Sequence, residues 1–558
     1  MKKLMALLLA VFLFLPTIPM LAETYDPAVV NLDGTMPIVK EGGKLETMTI
    51  INPTPENRVI PANELDQAVK IAEATGLSLD WVGILDAGYA EKVNLMLASR
   101  DLPDMFWKGI DSAVVTQYIG QDVFLPTDEL IRQYAPNIQK ILDENPEYAA
   151  LTTYADGHRY GFPYIEEMFG LTLTNGPFVI NQKWLDKLGL PMPTTPEEFK
   201  NTLIAFRDAG DLNENGEADE IPYAVNFLAN DIFNSYNTFF NMMGCFGESV
   251  AYADPYAFCN VDENGKVYFA VTGEAFKNTL KYFRELQLEG LLDADGFSGD
   301  GNYLHKLRYD DAIFGAFGTW SPEGEIPIVD VRTQYTAIPR MTGENGKNGI
   351  RCNRSELWGT SQSVITVDAK YPELLTIMMN YLNEPFMAIT TNWGTVGYSY
   401  IMDEETGLLS FDLDENGVFK IPEGFESWND MRQNSSPVQG GVTILNEYYD
   451  TVAEYTYDAV ALLDHQRANG KDEVLAENRY MPPILMTIEE NATYTQIKPQ
   501  VVNAVRAYLV GSILDGNIDE NWDSYLASLE SAGLTEMLNT IQSAYDRYLV
   551  TYNEIANK

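Results

Sequence analysis

From residue 46 onward, short apolar runs alternate with segments of helical periodicity. Residues 46–52 read as a strand, 63–75 as a helix, 79–85 as an apolar strand, 89–98 as a helix and 102–107 as a buried strand. Strands alternating with helices argue for an α/β lobe with a mainly parallel sheet. A second lobe is expected after Gly161-Phe-Pro-Tyr164, with strand-like segments at 171–173 and 178–181. The next helix opens with Thr195 as cap, Pro196 at its first position and Glu198 three residues beyond the cap, the pattern of a capping box, and runs to Ala209. Residues 275–288 form another amphipathic helix closed near Gly290. Strands are expected at 313–320, 335–339 and 363–367, with a Gly-rich loop at 342–349 and a helix at 371–382. The last part is helical, at 442–463, 497–514, 522–529 and 536–550. There Trp522, Tyr525, Leu526 and Leu529, like Met537, Leu538, Ile541 and Tyr545, repeat at helical spacing and mark core faces.

The helix ending at Ala209 delivers the chain into Asp211-Leu-Asn-Glu-Asn-Gly-Glu-Ala-Asp-Glu220. Oxygen side chains at alternate positions, Asp211, Asn213 and Asn215, converge on one hard cation when a chain winds round it, and Gly216 permits the sharp turn. The Glu217 carbonyl is the next expected ligand. An EF-hand brings a bidentate Glu at its twelfth position, but here that position is Pro222, so Asp219 and Glu220 must close the shell. The loop therefore reads as a static structural Ca2+ clasp and not as a helix-loop-helix sensor. An Asx-rich surface turn is the plainer alternative.

Composition adjusts this picture. With 558 residues the chain can bury a large core in two or more lobes, and its 12% aromatic share includes 32 Tyr. A formal net charge of -44 disfavours nucleic acid and anionic membrane surfaces. Residues 1–22 read as a secretory signal, with basic Lys2 and Lys3, an apolar run at 4–15, Pro16 and a cleavage point after Ala22; the mature protein is expected outside the cytoplasm. Three cysteines occur, Cys245, Cys259 and Cys352, without metal spacing. Cys245 and Cys259 pair in one reading, and all three are buried thiols in the other.

The chemistry-bearing motifs of common enzymes are missing. His158, His305 and His465 are scattered, and no nucleophile elbow, P-loop or dinucleotide fingerprint occurs. Instead, aromatics sit in turns beside Gly, Pro and polar residues: Trp107, Tyr164, Trp320 in Gly-Thr-Trp-Ser-Pro, Trp358 in Leu-Trp-Gly-Thr, and Trp393 with Tyr398 in Asn-Trp-Gly-Thr-Val-Gly-Tyr. Flat rings at loop tips suit the apolar faces of sugars, while neighbouring polar groups take the hydroxyls. Glu166, Tyr236 and Arg340 complete the candidate ligand set. Arg340, Arg351 and Arg354 offer local positive charge against the acidic field, which otherwise favours a neutral glycan over a polyuronate.

Several segments resemble the extracellular solute-binding proteins of ABC sugar importers (family 1), of the large lipoprotein and alginate-binding type. They are Leu-Ala-Ser-Arg-Asp-Leu-Pro-Asp104, Gln182-Lys-Trp-Leu-Asp-Lys-Leu-Gly-Leu with Pro-Thr-Thr-Pro-Glu-Glu-Phe199, the loop 211–222, Trp393-Gly-Thr-Val-Gly-Tyr398, Trp522-Asp-Ser-Tyr-Leu and Gln542-Ser-Ala-Tyr-Asp-Arg-Tyr548. The resemblance implies a periplasmic-binding-protein-like (type II) α/β fold: two α/β lobes, a hinge, an interlobe ligand cleft and a helical C-terminal part. On that reading residues 23–161 begin the first lobe, 162–334 form the second, 335–400 return to the first, and 401–558 pack on the second. It implies a monomeric, non-catalytic protein that closes on an oligosaccharide and presents it to membrane permease subunits, with structural Ca2+ held by Asp211, Asn213, Asn215, Glu217, Asp219 and Glu220. Many such proteins carry a lipid-anchor Cys after the signal; the first Cys here is Cys245, so a free protein, an uncleaved signal anchor or a misassigned start remain. A secreted glycoside-hydrolase-like enzyme with a carboxylate pair in the cleft, or a surface glycan sensor without transport, are the alternatives.

Overall fold

The computed structural model describes residues 25–227, 235–251, 256, 258–298, 302–307, 311–348, 350–353, 355–413, 419–425, 428–437, 439–449, 451–455, 457–477 and 480–558. The signal-sequence reading of 1–22 and the candidate cation Arg354 lie outside them.

Two sheets organise the chain. The first has six strands in the order Thr443–Ile444, Phe162–Glu166, Leu357–Ile365, Met105–Trp107, Met48–Thr54, Leu79–Leu85. Met48–Thr54 lies parallel to both its neighbours, and of the six strands only the returning Leu357–Ile365 runs antiparallel, so the sheet is mainly parallel, as expected. The second has four strands, Tyr335–Ala337, Phe178–Asn181, Phe314–Gly318 and Ile221–Ala224. Their inward residues are apolar and fully covered: Met48 and Ile50 in the first sheet, Phe178, Ile180 and Tyr223 in the second. All three cysteines are buried and none is in a disulfide, and burial raises the Cys245 and Cys352 thiols to about 12.

Strand pairing moves the expected lobe boundaries. Phe162–Glu166 belongs to the first sheet and Tyr335–Ala337 to the second, so the chain crosses between sheets at 167–177 and 338–356. A third crossing follows Ile444. Residues 442–463 are therefore not one helix: Thr443–Ile444 extends the first sheet beside Phe162–Glu166, and the helix Tyr457–Ala468 packs on the second lobe. The expected strand at 171–173 is a helical turn, Met168–Leu173, with Phe169 at φ 51°. Its start is fixed from the third crossing, since Glu167 N donates to Ile444 O (3.0 Å) and Phe169 N to Asn446 Oδ1 (2.6 Å).

The three crossings are tied to one another. Asn353 N donates to Leu173 O (2.8 Å), Asn175 N to Arg351 O (3.2 Å), Arg351 N to Asn175 Oδ1 (2.9 Å) and Asn446 N to Glu167 Oε2 (2.9 Å). The final helices touch both lobes instead of packing on the second alone. Ile488–Asp515 is 28 residues, about 42 Å at 1.5 Å per residue, enough to reach Ala113 of the first lobe through Asn491 and the helix Glu274–Leu288 of the second. Sequence periodicity starts this helix at 497 because 488–496 is polar. Its true start is a capping box between Thr487 and Glu490. At Pro196–Ala209, Thr195 caps Glu198 N as expected, but the Glu198 carboxylate reaches back to Thr194 N (2.8 Å).

Candidate functional site

Ligands of open α/β sheets bind beyond the carboxyl ends of the parallel strands. In the first sheet that edge carries Tyr164 and Glu166, two residues apart and so on one face, with Trp358 beside them on the neighbouring strand. Trp358 is 43% exposed, and its ring centroid lies 6.3 Å from that of Tyr164.

Behind these rings is a polar network. Asn392 Nδ2 donates to Glu166 Oε2 (2.8 Å) and the Tyr449 hydroxyl to Glu166 Oε1 (3.2 Å). Trp393 Nε1 donates to Tyr449 Oη (3.1 Å). Arg432 lies over the Trp393 ring, its Cζ 4.4 Å from the centroid, and donates through Nε to Asn392 O (2.6 Å) and through Nη2 to Asn392 Oδ1 (3.1 Å). The Tyr164 hydroxyl approaches the same Oδ1 at 3.4 Å. Glu166 is fully buried, and burial raises its carboxyl to about 8 against the opposing pull of Tyr449, Arg432 and Asn392. Burial lowers Arg432, while Tyr164, Tyr400, Glu166 and Tyr449 favour its charge.

The segment after Arg432 is pinned through its carbonyls. Arg58 Nη2 donates to Ser436 O (3.0 Å) and Pro437 O (3.2 Å), Lys108 Nζ to Gln439 O (2.6 Å) and Trp107 Nε1 to Gly440 O (3.3 Å). Burial, with Arg432 nearby, lowers Lys108 to about 8. Gly440, at φ 81°, lets this segment press on Tyr164: a Cβ there would sit 2.8 Å from the Tyr164 ring. Trp358 also lines a cavity of about 310 Å3, together with Asp111, Ser355, Thr360 and Gln362 among others. An exposed ring beside fixed amide and guanidinium groups suits a polyol with one apolar face.

The second lobe offers a sparser counterpart. Half-buried Trp320 follows the strand Phe314–Gly318, and Thr319 N donates to Pro177 O (3.1 Å), which sets Trp320 beside the first crossing. Tyr236 donates to Glu325 Oε1 (2.7 Å), and Thr319 Oγ1 donates to the other oxygen of that carboxylate.

Of the nine residues read from the sequence as ligand-facing, Tyr164, Trp358 and Trp393 come together, and Tyr236 and Trp320 sit on the second lobe. Glu166 lies beneath the cluster and orients Asn392 rather than facing solvent. Trp107 is withdrawn: it is 1% exposed and packs on Trp81 at 5.5 Å. Arg340 is withdrawn too. It is committed to Glu473 (2.7 Å), Glu477 (3.3 Å) and Asn348 O (2.7 Å), beside a separate cavity of about 290 Å3. Arg351 is buried in the second crossing over the Phe240 ring. The Tyr398 ring meets Phe425. Asn392, Arg432 and Tyr449 were missed. Asn392 adjoins a flagged Trp, but Arg432 and Tyr449 carry no local signal.

The loop 211–220 is exposed and wound by its own side chains. Gly216 N donates to Asp211 Oδ2 (3.1 Å), Asn215 N to Asn213 Oδ1 (3.1 Å) and Glu217 N to Asn215 Oδ1 (2.8 Å). Asp219 Oδ1 lies 3.4 Å from the amide groups of both Asn213 and Asn215. Leu212 N and Asn213 N donate to Glu220 Oε1, the latter at 3.0 Å. Among the described residues no three His, Cys, Asp or Glu side chains gather as a metal cluster. The set here mixes two amides with carboxylates, and an all-oxygen set on one tight loop fits a hard cation.

No family model matches the chain. It is 31% identical over 530 residues to the fructooligosaccharide ABC transporter substrate-binding protein FusA of Streptococcus pneumoniae serotype 4, spanning 94% of both chains. An EF-hand mutant of that protein, solved in complex with fructo-nystose, superposes with a TM-score of 0.76 at 29% identity over 92% of this chain and 100% of the other. An extracellular solute-binding protein from Bifidobacterium longum subsp. infantis has the same fold, with a TM-score of 0.77 at 22% identity over 91% and 99%.

Proposed function

Because the chain belongs to the substrate-binding proteins of ABC transporters, we propose that it captures a neutral oligosaccharide, of the fructo-oligosaccharide class, between its two lobes. It works outside the cytoplasm and presents the sugar to membrane permease subunits. Among the described residues no helix is long and apolar enough to cross a membrane. The observation that carries this reading is the half-exposed Trp358 ring beside Tyr164, backed by the fixed Asn392–Arg432–Trp393 network, at the strand ends that adjoin the three crossings. Trp358 and Tyr164 supply stacking surface on one lobe and Trp320 and Tyr236 on the other; the crossings act as the hinge, and sugar shifts the population toward the closed form.

The loop supports a structural Ca2+. Side chains of Asp211, Asn213, Asn215, Asp219 and Glu220, with the Glu217 carbonyl, would hold it, and the ion would supply charge that clamps the loop. The loop enters the strand Ile221–Ala224 at its amino end, opposite the end nearest Trp320, so the ion steadies the lobe and does not touch sugar.

Titration calorimetry of the whole protein with kestose and nystose, beside oligogalacturonides and a mannan oligosaccharide, tests the function. Saturable heat with the fructans and unchanged sugar on chromatography is the expected result. Release of shorter sugars, or binding confined to the other glycans, would overturn it.

A further inference from the structure

The crossings carry a group of acids that sugar capture does not use. Tyr148 stands on the short helix Pro146–Leu151 with its side chain 7% exposed. Its hydroxyl lies 3.2 Å from Glu167 Oε1, on the first crossing, and 3.1 Å from Glu356 Oε2, at the end of the second. The other Glu167 oxygen accepts from Asn446 N of the third crossing (2.9 Å), and Glu166 N donates to Glu356 O (3.1 Å). One phenol thus joins all three segments that connect the lobes.

Proton counting makes this arrangement conditional. A phenol has one hydrogen to donate, and an ionised carboxylate can only accept. With both glutamates ionised, Tyr148 can satisfy one; the other oxygen then faces a phenol lone pair and a second negative charge. With one glutamate protonated, the chain carboxyl–phenol–carboxylate is complete, each oxygen bonded once.

We propose that Glu356, Tyr148 and Glu167 form a one-proton latch that sets the angle between the lobes: closed by a proton held on Glu356, released when that proton leaves. Glu356 is the member placed to hold it, because burial and the Glu167 charge raise its carboxyl to about 7, against the opposing effects of the Tyr148 hydrogen bond and Lys471. Among the described residues, the charged and titratable groups facing the latch are Glu147 and Tyr148 from the helix, Glu167 from the first crossing, Tyr448 from the third, and the buried Lys471, beside Asp472, from the helix Lys471–Glu477. Among these described groups carboxylates outnumber the one ammonium, so ionisation of Glu356 adds repulsion where the crossings meet. The proposal rests on reading the crossings as the hinge and not on the identity of the sugar.

Interlobe distance in the ligand-free full chain tests it. Spin labels on Lys92→Cys and Glu289→Cys, both exposed positions on opposite lobes, report the distance by pulsed electron resonance while the native thiols stay buried. Between pH 5.5 and 8.5 the unmodified hinge should shift its distance distribution, with a midpoint near 7. Glu356→Gln, whose amide donates permanently, should hold the pH 5.5 distribution at both values, and Tyr148→Phe should hold the pH 8.5 distribution at both. An unmodified hinge that does not move with pH, or a Glu356→Gln hinge that moves as the unmodified one does, overturns the latch. Because no sugar is present, either result leaves the calorimetric test of sugar capture independent.

Discussion

The loop 211–220 and the Glu166–Asn392–Arg432 cluster both hold oxygen atoms in fixed directions, by opposite means. In the loop the fixing bonds are local, from backbone N–H groups two to eight residues away, and the site is exposed. In the cluster they come from side chains drawn from residues 164, 166, 392, 393, 432 and 449, with a fully buried carboxyl at the base. Local bonds make a site whose emptying costs stability without disturbing the distant sugar-facing cluster. A cluster shared among distant segments couples its ligand geometry to the stability of the lobe.

The largest expected effect that would sharpen this contrast is ionisation of Glu166. Its folded value, about 8, lies above its ordinary 4.5, so the stabilisation is complete below about 4.5 and is lost as pH rises through about 8. A shift of that size corresponds to a few kcal/mol. Urea unfolding from pH 5 to 9 should show the decline, and Glu166→Gln should reduce it to the smaller part that Glu356 contributes. Arg432→Ala comes next, because it strips two charge-assisted bonds from Asn392 and uncovers Trp393. About 3 kcal/mol of stability should go, along with most sugar affinity, and Arg432→Lys should not restore the paired bonds to Asn392. An Arg432→Ala protein that unfolds at the wild-type urea concentration would break the comparison.

Calcium follows. At 100 times its Kd the ion should add about 2.7 kcal/mol, seen as a fall in Tm on chelation in metal-stripped buffer and recovery with Ca2+, both absent in Asn215→Ala. Sugar affinity should stay within about twofold throughout, as the loop sits at the far end of its strand. A large loss of sugar binding on chelation would erase the distinction between the two regions. Smallest on stability is Trp358→Ala, which should change it by no more than about 0.5 kcal/mol because the ring is exposed, while affinity falls about tenfold. A drop in Tm instead of affinity would make Trp358 a packing residue.

The same contrast explains which expectations held. Alternating elements through Met105–Trp107, the Thr195 cap and the core faces of the last helices were legible because each rests on residues a few positions apart. Misreadings fall where distant chain intervened. Residues 443–444 became an edge strand because Phe162–Glu166 offered a free neighbour, and 171–173 became a turn because Asn446 and Ile444 capped it from another crossing. Trp107 and Trp358 look alike in sequence, each beside a strand and a turn, yet one is core and the other exposed. Periodicity cannot tell them apart, since the difference lies in whether the segment around Gly440 folds over the ring.

By itself the sequence determined the α/β alternation, the oxygen spacing of the loop and the ordered segments that resemble the solute-binding family, all written in contiguous residues. Tertiary structure alone decided where the chain crosses between lobes, which aromatics are exposed, and that Glu166, Asn392, Arg432 and Tyr449 meet. Those outcomes depend on burial and on hydrogen bonds between distant residues, 283 positions apart for Tyr449 and Glu166 and 333 for Trp107 and Gly440, and no local pattern encodes a contact made over such a distance.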